Sequence, residues 1–420
     1  MFQKSVLDNG LRVISSTMPH THSVSICFFM GVGSRYEVDE QAGISHFIEH
    51  LLFKGTEKRA TSKEISETIE GVGGALNGGT DRELTLYWAK VAQPHFSLAL
   101  DVLVDMLLNS KLNQVDIEKE CQVILEEISM SRDMPSQQVH MLIDELLWPD
   151  HPLGRDIAGS KESVTAITRD MIIEYLQEKY TPANAVVTVA GNIGHEQVVL
   201  EIGRFLKEWD NQQLRPGYIA FEKEKNPGLL IKKRDIEQAH LCLAFPGLPL
   251  LHPHRFPLDL LNVVLGEGMS SRLFTEVRDK LGLAYSIHSY TDHLLDTGSV
   301  NIYAGIEPAK LKMAIKAIME QLSKLKEPIP ESELVKAKEF SKGRLLLRME
   351  DTRSVAGWMG GQEILTDKIL TIDQVVDIIN AITAEELKRL AEELIESDKL
   401  RLAVVGPIEE DEPLDDLLKL

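Results

Sequence analysis

Apolar and polar side chains alternate in two stretches of the chain and predict paired strands there. Residues 73–91 show this alternation around Leu86, and residues 282–306 show it around Ile302. Both stretches also contain glycine and aspartate, which is typical of the turn inside a hairpin. Each stretch follows a strand-like run and a helical segment, so strands and helices are mixed along the chain.

The order of predicted elements is the same in the two halves of the chain. Each half ends with a helix that leads into a strand stopping at a glycine, Gly191 in the first half and Gly406 in the second. The repetition of this order of elements in the two halves indicates two duplicated domains of similar shape. Hairpins mixed with helices favour an α+β fold with mostly antiparallel sheets over a parallel, doubly wound sheet.

A polar segment with two prolines separates the halves and predicts the domain boundary. We expect an N-terminal domain at residues 1–210, a linker at 211–228 and a C-terminal domain at 229–420. At 420 residues, the chain is also too long for one average hydrophobic core, which agrees with two domains.

The net charge limits the kinds of molecule that the protein is expected to bind. The chain has 45 Lys and Arg residues against 65 Asp and Glu residues, a formal net charge of −20 at pH 7. Binding to a nucleic-acid backbone is therefore not expected as its main task. Two interpretations of the charge remain open: it keeps the protein soluble, or it forms an acidic cavity that attracts basic peptides.

Cysteine usage and the absence of long apolar runs predict a soluble cytoplasmic protein. Cys27, Cys121 and Cys242 lie far apart in apolar surroundings, so reduced core thiols are expected rather than a disulfide framework. The first residues lack the features of a secretion signal. No apolar run reaches the roughly 18 residues of a membrane span.

Residues 43–56, GISHFIEHLLFKGT, place three polar side chains in an otherwise apolar run: His46, Glu49 and His50. Unpaired polar groups are costly to bury, so this segment needs an explanation. On a helix, His46 and His50 point to the same side, and Glu49 lies near that side. Two histidines one turn apart can bind one zinc ion, and a neighbouring glutamate can take a proton from the water it activates.

The end of this helix and an alternative explanation for its polar residues also follow from the sequence. Lys54 and Gly55 are expected to be its last-turn and C-cap residues. The alternative to a metal site is a partly exposed helix face on which the two histidines and the glutamate bond to neighbours. A catalytic zinc needs a third protein ligand, which must come from elsewhere in the chain.

A second predicted helix, residues 116–131, carries two acids on one face. Glu120 and Glu127 are separated by two helical turns. Glu127 as third ligand and Glu120 as an acid that holds a ligand histidine would explain their positions. Glu126 is the rival ligand, although it points about 100° away from Glu127. The alternative is that both acids are simply solvated.

Residues 46–50 match the inverted zinc motif H-x-x-E-H, and the chain resembles the pitrilysin family of metallopeptidases, which includes insulysin and the mitochondrial processing peptidase. In that family a third-ligand glutamate follows the second histidine after 76 residues, and 76 residues separate His50 from Glu127. A further family glutamate, seven residues earlier, matches Glu120. The resemblance implies one Zn²⁺ per chain, held by the motif histidines and Glu127, with Glu49 as general base and Glu120 in support.

Residues 73–87, GGALNGGTDRELTLY, are similar to the family's strand motif G-G-x-x-N-A-x-T-x-x-E-x-T-x-Y. In the family this strand pairs with the substrate backbone as an added strand. The resemblance therefore implies substrate binding by Asn77, Gly78, Gly79 and Thr80. Gly78 replaces the usual alanine, which would leave pairing intact but make this edge more flexible.

The second half supplies a different part of the resemblance. Residues 270–287, SSRLFTEVRDKLGLAYSI, resemble the segment that provides an arginine and a tyrosine seven residues apart, here Arg278 and Tyr285. The position corresponding to the zinc helix has no histidine, so this half is expected to be a supporting domain. Short family members work as dimers around a closed chamber. The resemblance implies a homodimer in which Arg278 and Tyr285 serve the partner chain's zinc.

These observations favour a zinc-dependent endopeptidase that hydrolyses peptides or unfolded segments in an enclosed chamber. A peptide pairs with the predicted strand edge, and Glu49 moves a proton from water to the leaving amine. One alternative is a non-catalytic structural or assembly subunit of a processing-peptidase-like complex. Another is an unrelated carboxylate–histidine metalloenzyme, such as a di-iron helical protein, which would need further Glu-x-x-His ligands.

Overall fold

A computed structural model describes residues 2–209, 216–222 and 228–420, which form eleven strands and fourteen α-helices. In chain order the elements are β1 (Gln3–Val6), β2 (Arg12–Thr17), β3 (Ser23–Met30), α1 (Ile44–Leu52), α2 (Ser62–Glu70), β4 (Ala75–Thr80), β5 (Thr85–Ala92), α3 (Phe96–Asn109), α4 (Gln114–Asp133), α5 (Pro135–Leu147), α6 (Lys161–Ala166), α7 (Arg169–Lys179), β6 (Ala185–Gly191), α8 (His195–Phe205), β7 (Leu229–Lys233), β8 (Ala239–Pro246), α9 (Arg255–Leu265), β9 (Ala284–His293), β10 (Gly298–Ile306), α10 (Leu311–Leu325), α11 (Glu331–Arg348), α12 (Thr352–Thr366), α13 (Ile372–Ala381), α14 (Ala384–Leu394) and β11 (Arg401–Gly406). A π-helical segment, Phe274–Lys280, precedes β9.

The chain forms two compact units, each assembled from three segments. The first comprises Met1–Ile128, Asp156–Ile219 and Leu346–Thr371, and the second comprises Ser129–Arg155, Ala220–Leu345 and Ile372–Leu420. These units differ from a division at 211–228 in that α5 belongs to the second unit and α12 to the first. Most of the predicted linker lies outside the described residues, so the division into 1–210 and 229–420 stays a prediction.

The first unit is built around a six-stranded sheet with the order β1-β2-β6-β3-β5-β4. β2 and β6 are parallel, and the other neighbours are antiparallel. Along β3, Ile26 and Phe28 join a core with α1, α3 and α4, whereas Cys27 and Phe29 join a core with α12. Because helices cover both faces, β3 is apolar at every position from Ile26 to Met30 instead of alternating there.

The second unit contains a five-stranded sheet that repeats this topology. Its order is β7-β11-β8-β10-β9, with β7 and β11 parallel and the other neighbours antiparallel. The first sheet has the same arrangement in β2-β6-β3-β5-β4, with β1 added. One face of the second sheet packs on α5, where Val139 and Ile143 meet Cys242. The predicted α+β fold with two similar, mostly antiparallel sheets is therefore confirmed.

Strands β6 and β11 both end at a glycine because the backbone of a neighbouring strand comes too close there for a side chain. A Cβ on Gly191 would lie 2.4 Å from the backbone oxygen of Ser23, and one on Gly406 would lie 2.9 Å from the Cα of Ala239. Ser23 and Ala239 begin the equivalent strands β3 and β8. Only a residue without a side chain permits this close backbone approach, so the repeat extends to individual contacts.

The three thiols differ in burial: Cys27 and Cys242 are buried as expected for core residues, whereas Cys121 is only partly buried. Cys27, Cys121 and Cys242 are all free cysteines. Within the described ranges, no helix combines the length and apolarity needed to cross a membrane.

Helix α12 packs against the first sheet at a glycine, which gives a test of this packing. A Cβ on Gly360 would lie 2.0 Å from Cε2 of Phe29, whereas one on the adjacent Gly361 would have no neighbour within 4 Å. We expect Gly360→Ala to lower the free energy of unfolding by about 1–3 kcal/mol because the added methyl group overpacks the core. The matched Gly361→Ala should leave it unchanged or raise it by up to about 1 kcal/mol, since alanine favours the helix. Urea unfolding checks the pair, and equal midpoints would contradict the packing of α12 on β3.

Candidate metal centre

Helix α1 separates its apolar and polar residues into two faces. Ile44, Phe47 and Ile48 are buried in the core of the first unit. His46 and His50 lie on the partly exposed side, with their ring centroids 4.6 Å apart. The four-residue spacing thus places the two imidazoles side by side, as helical periodicity requires.

The start of α1 is fixed by a buried carboxylate that the sequence analysis did not identify. Glu37 is 2% exposed and accepts hydrogen bonds from the backbone nitrogens of Gly43 at 2.7 Å and Ser45 at 2.9 Å. These N–H groups have no partner inside the helix, and a negative charge there also interacts favourably with the helix dipole. Gly43 adopts a φ of 93°, which favours glycine. Glu37 and Gly43 therefore fix the first turn, which carries His46.

Three potential metal donors converge beside α1. One ligand atom from each of His46, His50 and Glu127 lies within 4.8 Å of the other two. Oε2 of Glu127 is 3.6 Å from Nε2 of His50 and 3.9 Å from Nε2 of His46. Donors on one tetrahedral zinc lie about 3.3 Å apart, so small side-chain adjustments would allow these three to hold a zinc ion. Glu126 is exposed and outside this cluster.

The two histidines differ in how their second ring nitrogen is held. Burial, together with the nearby His50, lowers the pKa of His46 to about 4. His46 is therefore neutral at pH 7, which is the form that binds a metal. Its Nδ1 is buried and has no hydrogen-bond partner within the part of the chain that the structure describes. Of the two histidines, His50 alone has a carboxylate at Nδ1 among the described residues, and this contact selects one tautomer.

That carboxylate belongs to Glu120, which is 5% exposed and has both oxygens engaged. One oxygen lies 3.1 Å from Nδ1 of His50, and the other lies 2.7 Å from Nζ of Lys54. Since a carboxylate only accepts, Nδ1 is the donor, and Nε2 of His50 remains available to a metal. Helix α1 ends at Leu52, before the predicted Lys54 and Gly55. The backbone nitrogen of Lys54 donates to the Leu51 carbonyl just beyond the helix, while its side chain pairs with Glu120.

The Glu120–His50 contact predicts a measurable effect on zinc affinity. We expect Glu120→Gln to weaken zinc binding by about 10–100-fold, because such partners orient the ligand histidine and raise its basicity. Glu118→Gln is the matched control, since Glu118 is exposed on the same helix. Competition with a chelator of known affinity measures both variants. Equal affinities would show that Glu120 does not act on His50.

Glu49 lies beside the three donors but is not one of them. Its Oε2 accepts a hydrogen bond from Oγ1 of Thr80 at 2.6 Å, and a Cβ on Gly78 would lie 3.0 Å from its Cγ. Burial raises the pKa of Glu49 above its ordinary value, while the Thr80 hydrogen bond acts in the opposite direction. A carboxyl with a raised pKa holds a proton more firmly, which suits a group that accepts and returns one.

The strand that contacts Glu49 lies at the edge of the first sheet. β4 pairs only with β5 among the described strands, so its other side is available for an added strand. It contains the four residues that the resemblance assigned to substrate binding: Asn77, Gly78, Gly79 and Thr80. The structure thus joins this edge to Glu49 through Thr80. Their role toward substrate stays a prediction.

The predicted arginine and tyrosine lie together in the second unit. Arg278 is in the π-helical segment, and Tyr285, on the edge strand β9, is 76% exposed. Cζ of Arg278 lies 5.9 Å from the ring centroid of Tyr285 and 4.6 Å from that of Phe274. Both side chains are exposed, so the pair lies at the surface of this unit. Their action on a metal centre stays a prediction.

Comparison with known proteins identifies the family. An uncharacterized zinc protease of Bacillus subtilis (strain 168) is 37% identical to this chain over 97% of it and 98% of the relative. The chain belongs to the M16 peptidase family. A sequence profile described as "Insulinase (Peptidase family M16)" matches residues 12–161, and one described as "Peptidase M16 inactive domain" matches residues 166–340.

Solved structures agree with this M16 assignment. The crystal structure of a protease from Helicobacter pylori has a TM-score of 0.89 at 25% identity, covering 97% of this chain and 100% of that one. A chain of Complex III2 from Candida albicans has a TM-score of 0.82 at 18% identity, with 100% of both chains covered. The second likeness shows the fold alone. The predicted resemblance to the pitrilysin family, as a short two-domain member, is confirmed.

The two M16 profiles divide the predicted site residues between them. The first spans the metal donors, Glu49, Glu120 and strand β4, and the second spans Arg278 and Tyr285. The name of the second profile agrees with a half that lacks the metal motif. Sequence reasoning missed Glu37 as a cap and Lys54 as the partner of Glu120, because no spacing rule marks contacts between distant segments.

Proposed function

We propose that this M16 chain is a zinc-dependent metalloendopeptidase in which Glu49 is the general base. The observation that carries the proposal is the convergence of His46, His50 and Glu127 within 4.8 Å, with Glu49 beside them. Glu49 is held by Thr80 and left out of the donor set. The names of the relatives as zinc proteases support the same activity.

The donor set fits one Zn²⁺ per chain. Nε2 of His46, Nε2 of His50 and Oε2 of Glu127 would hold the ion, while Glu120 keeps His50 oriented. When bound, zinc supplies a Lewis acid that lowers the pKa of coordinated water and polarises a carbonyl group. Three protein ligands of the nitrogen and carboxylate type are typical of catalytic zinc, whereas structural sites have four.

The chain's own residues would position the substrate and move the proton. An extended peptide would pair with the free edge of β4, which brings its backbone past Glu49. Glu49 takes a proton from the attacking water as the new carbon–oxygen bond forms, and delivers it to the nitrogen as the carbon–nitrogen bond breaks. Glu49 ends the cycle as a carboxylate again. Thr80 holds that carboxylate in place during both transfers.

The proposal includes a homodimer around an enclosed chamber. The metal donors and the pair Arg278 and Tyr285 all occur in this one sequence. Two copies could therefore build two complete sites, with each Arg278–Tyr285 pair donating hydrogen bonds to the scissile carbonyl oxygen at the other copy's metal centre. A preference for basic peptides, which the net charge of −20 favours, and a cytoplasmic location are further parts of the proposal.

Incubating the purified protein alone with a mixed peptide library tests this function. We expect cleavage of internal peptide bonds that stops with a zinc chelator and returns when Zn²⁺ is added. Mass spectrometry of the products identifies the bonds cut. Stoichiometric zinc binding without any cleavage would contradict the proposal and favour a non-catalytic subunit.

The two alternatives have less support. A non-catalytic assembly role rests on a shared fold with the Candida albicans Complex III2 chain, whereas the complete donor set argues for catalysis. A di-iron enzyme would need a second group of ligands. Within the described ranges, His46, His50 and Glu127 form the one group of three or more potential metal ligands.

A further inference from the structure

The second unit contains a cavity of about 770 Å³, bounded by the C-terminal ends of α5 and β8, the start of β10 and the segment before β11. Its apolar wall includes Trp148, Phe221 and Leu394. The backbone nitrogen of Phe221 donates to Oδ2 of Asp296 at 2.9 Å, which fixes that part of the wall. The volume is within the range of small-ligand sites. All the lining residues belong to the second unit, which contains none of the three metal donors.

Arg401 is a nearly buried cation in the wall of this cavity. It is 9% exposed, and its Nη1 donates to the backbone oxygens of Asp398 and Leu400, both at 2.9 Å. Its guanidinium forms no ion pair with a carboxylate of the described chain. Burial lowers the pKa of Arg401 from its ordinary value, although Asp398 acts in the opposite direction. A guanidinium in this position has N–H groups left to bind an anionic ligand group.

Two acids give the outer part of the cavity the opposite charge. Glu393 and Asp398 are exposed lining residues, and we call them the rim acids. Neither carboxylate forms an ion pair within the described segments. Lys399, the other basic lining residue, pairs with Glu396 at 3.2 Å and so is already engaged. The wall of the cavity therefore combines a nearly buried cation that forms no ion pair, two exposed acids that form none either, and apolar side chains.

We propose that this cavity binds a short free peptide with apolar side chains. The peptide's C-terminal carboxylate pairs with Arg401, its side chains pack against Trp148 and Phe221, and its N-terminal ammonium lies at the rim acids. A fatty acid would match Arg401 but bring no cation to the rim. The volume corresponds to a drug-sized ligand, or about three residues. This site does not depend on the proposed peptidase activity.

Calorimetric titration of the full chain with the tripeptide leucyl-leucyl-phenylalanine tests the proposal. The Glu49→Gln protein serves as host so that the probe is not hydrolysed. We expect the C-terminal amide of the same tripeptide to bind at least about tenfold more weakly, because it cannot form the charged pair with Arg401. Arg401→Met should remove this difference, so that acid and amide bind equally. Stripping the zinc should leave the affinity for the acid unchanged, which separates this site from the metal centre.

A second set of variants changes only exposed groups, in case Arg401→Met disturbs folding. Replacing both rim acids, Glu393→Gln with Asp398→Asn, should weaken binding of the free tripeptide by about twofold to fivefold. The N-acetylated tripeptide has no ammonium, so its affinity should not fall; it should stay the same or rise, because Asp398 no longer offsets the charge of Arg401. The proposal is overturned if the acid and amide bind the host equally, if binding requires zinc, or if the rim variant weakens binding of the free and the N-acetylated tripeptide alike.

Discussion

Replacing Glu49 by glutamine is expected to slow peptide hydrolysis by about 100- to 10,000-fold while zinc stays bound. Glutamine keeps the size of the side chain and can still accept the hydrogen bond from Thr80. In the unsubstituted protein this hydrogen bond is 2.6 Å long. It cannot take a proton from water or return one to the leaving amine. Because Glu49 is not among the three donors, the zinc content should be that of the unsubstituted protein.

Cleavage of a fluorogenic peptide and elemental analysis of the same preparations measure the two effects separately. Glu67→Gln is the matched control, since Glu67 is exposed on α2 and its side chain pairs with Lys63 at the surface. Its turnover and zinc content should both be unchanged. Retained turnover in Glu49→Gln would assign the base to another group, and loss of zinc would make Glu49 part of the donor set.

Helical periodicity alone places two of the three donors, because their relation is local. His46 and His50 are one turn apart on α1, and no knowledge of the rest of the fold is needed to put them on one side. Glu127 is different. Helices α2 and α3 and strands β4 and β5 lie between it and α1. The face that Glu127 shares with Glu120 favours it, but local rules leave Glu126 open as a rival. The family spacing chose Glu127, and the structure brings that residue to the histidines.

The contacts that hold the site in place have no local signature. Lys54 had a plausible local explanation as a last-turn residue, yet its Nζ lies 2.7 Å from Glu120 on another helix. Glu37 and Thr80 likewise act on α1 from other segments. Such pairs become visible only when the intervening elements have packed, which is why the sequence identified Thr80 with the substrate edge and not with Glu49.

Sequence order also fails to predict which of the two units each helix belongs to. Sequence order puts α12 with the second half, but Ala356 and Met359 of this helix pack with Phe29 of β3 in the first unit. One hint is present in the sequence. A strand with an unbroken apolar run needs cover on both faces. β3 has such a run from Ile26 to Met30, although the run does not say which helix supplies the cover.

Glu127→Ala is expected to abolish stoichiometric zinc binding, whereas Glu126→Ala should retain it. Oε2 of Glu127 is 3.6 Å from Nε2 of His50, while Glu126 is exposed and outside the donor group. Loss of Glu127 leaves two imidazoles, which are too few protein ligands for either a structural or a catalytic zinc site. The weakening should therefore exceed the roughly 10–100-fold that removal of an outer partner such as Glu120 causes.

Elemental analysis and chelator competition on the two alanine variants measure this difference. Both substitutions remove one carboxylate from the same helix and add the same helix-favouring residue, so effects on net charge and on the stability of α4 are matched. Any difference in zinc binding then reports on donation by the carboxylate itself. If both variants keep one zinc per chain, the third donor comes from another residue. If Glu126→Ala alone loses zinc, α4 presents the neighbouring face to the histidines, and the geometry of the proton transfer by Glu49 must change with it.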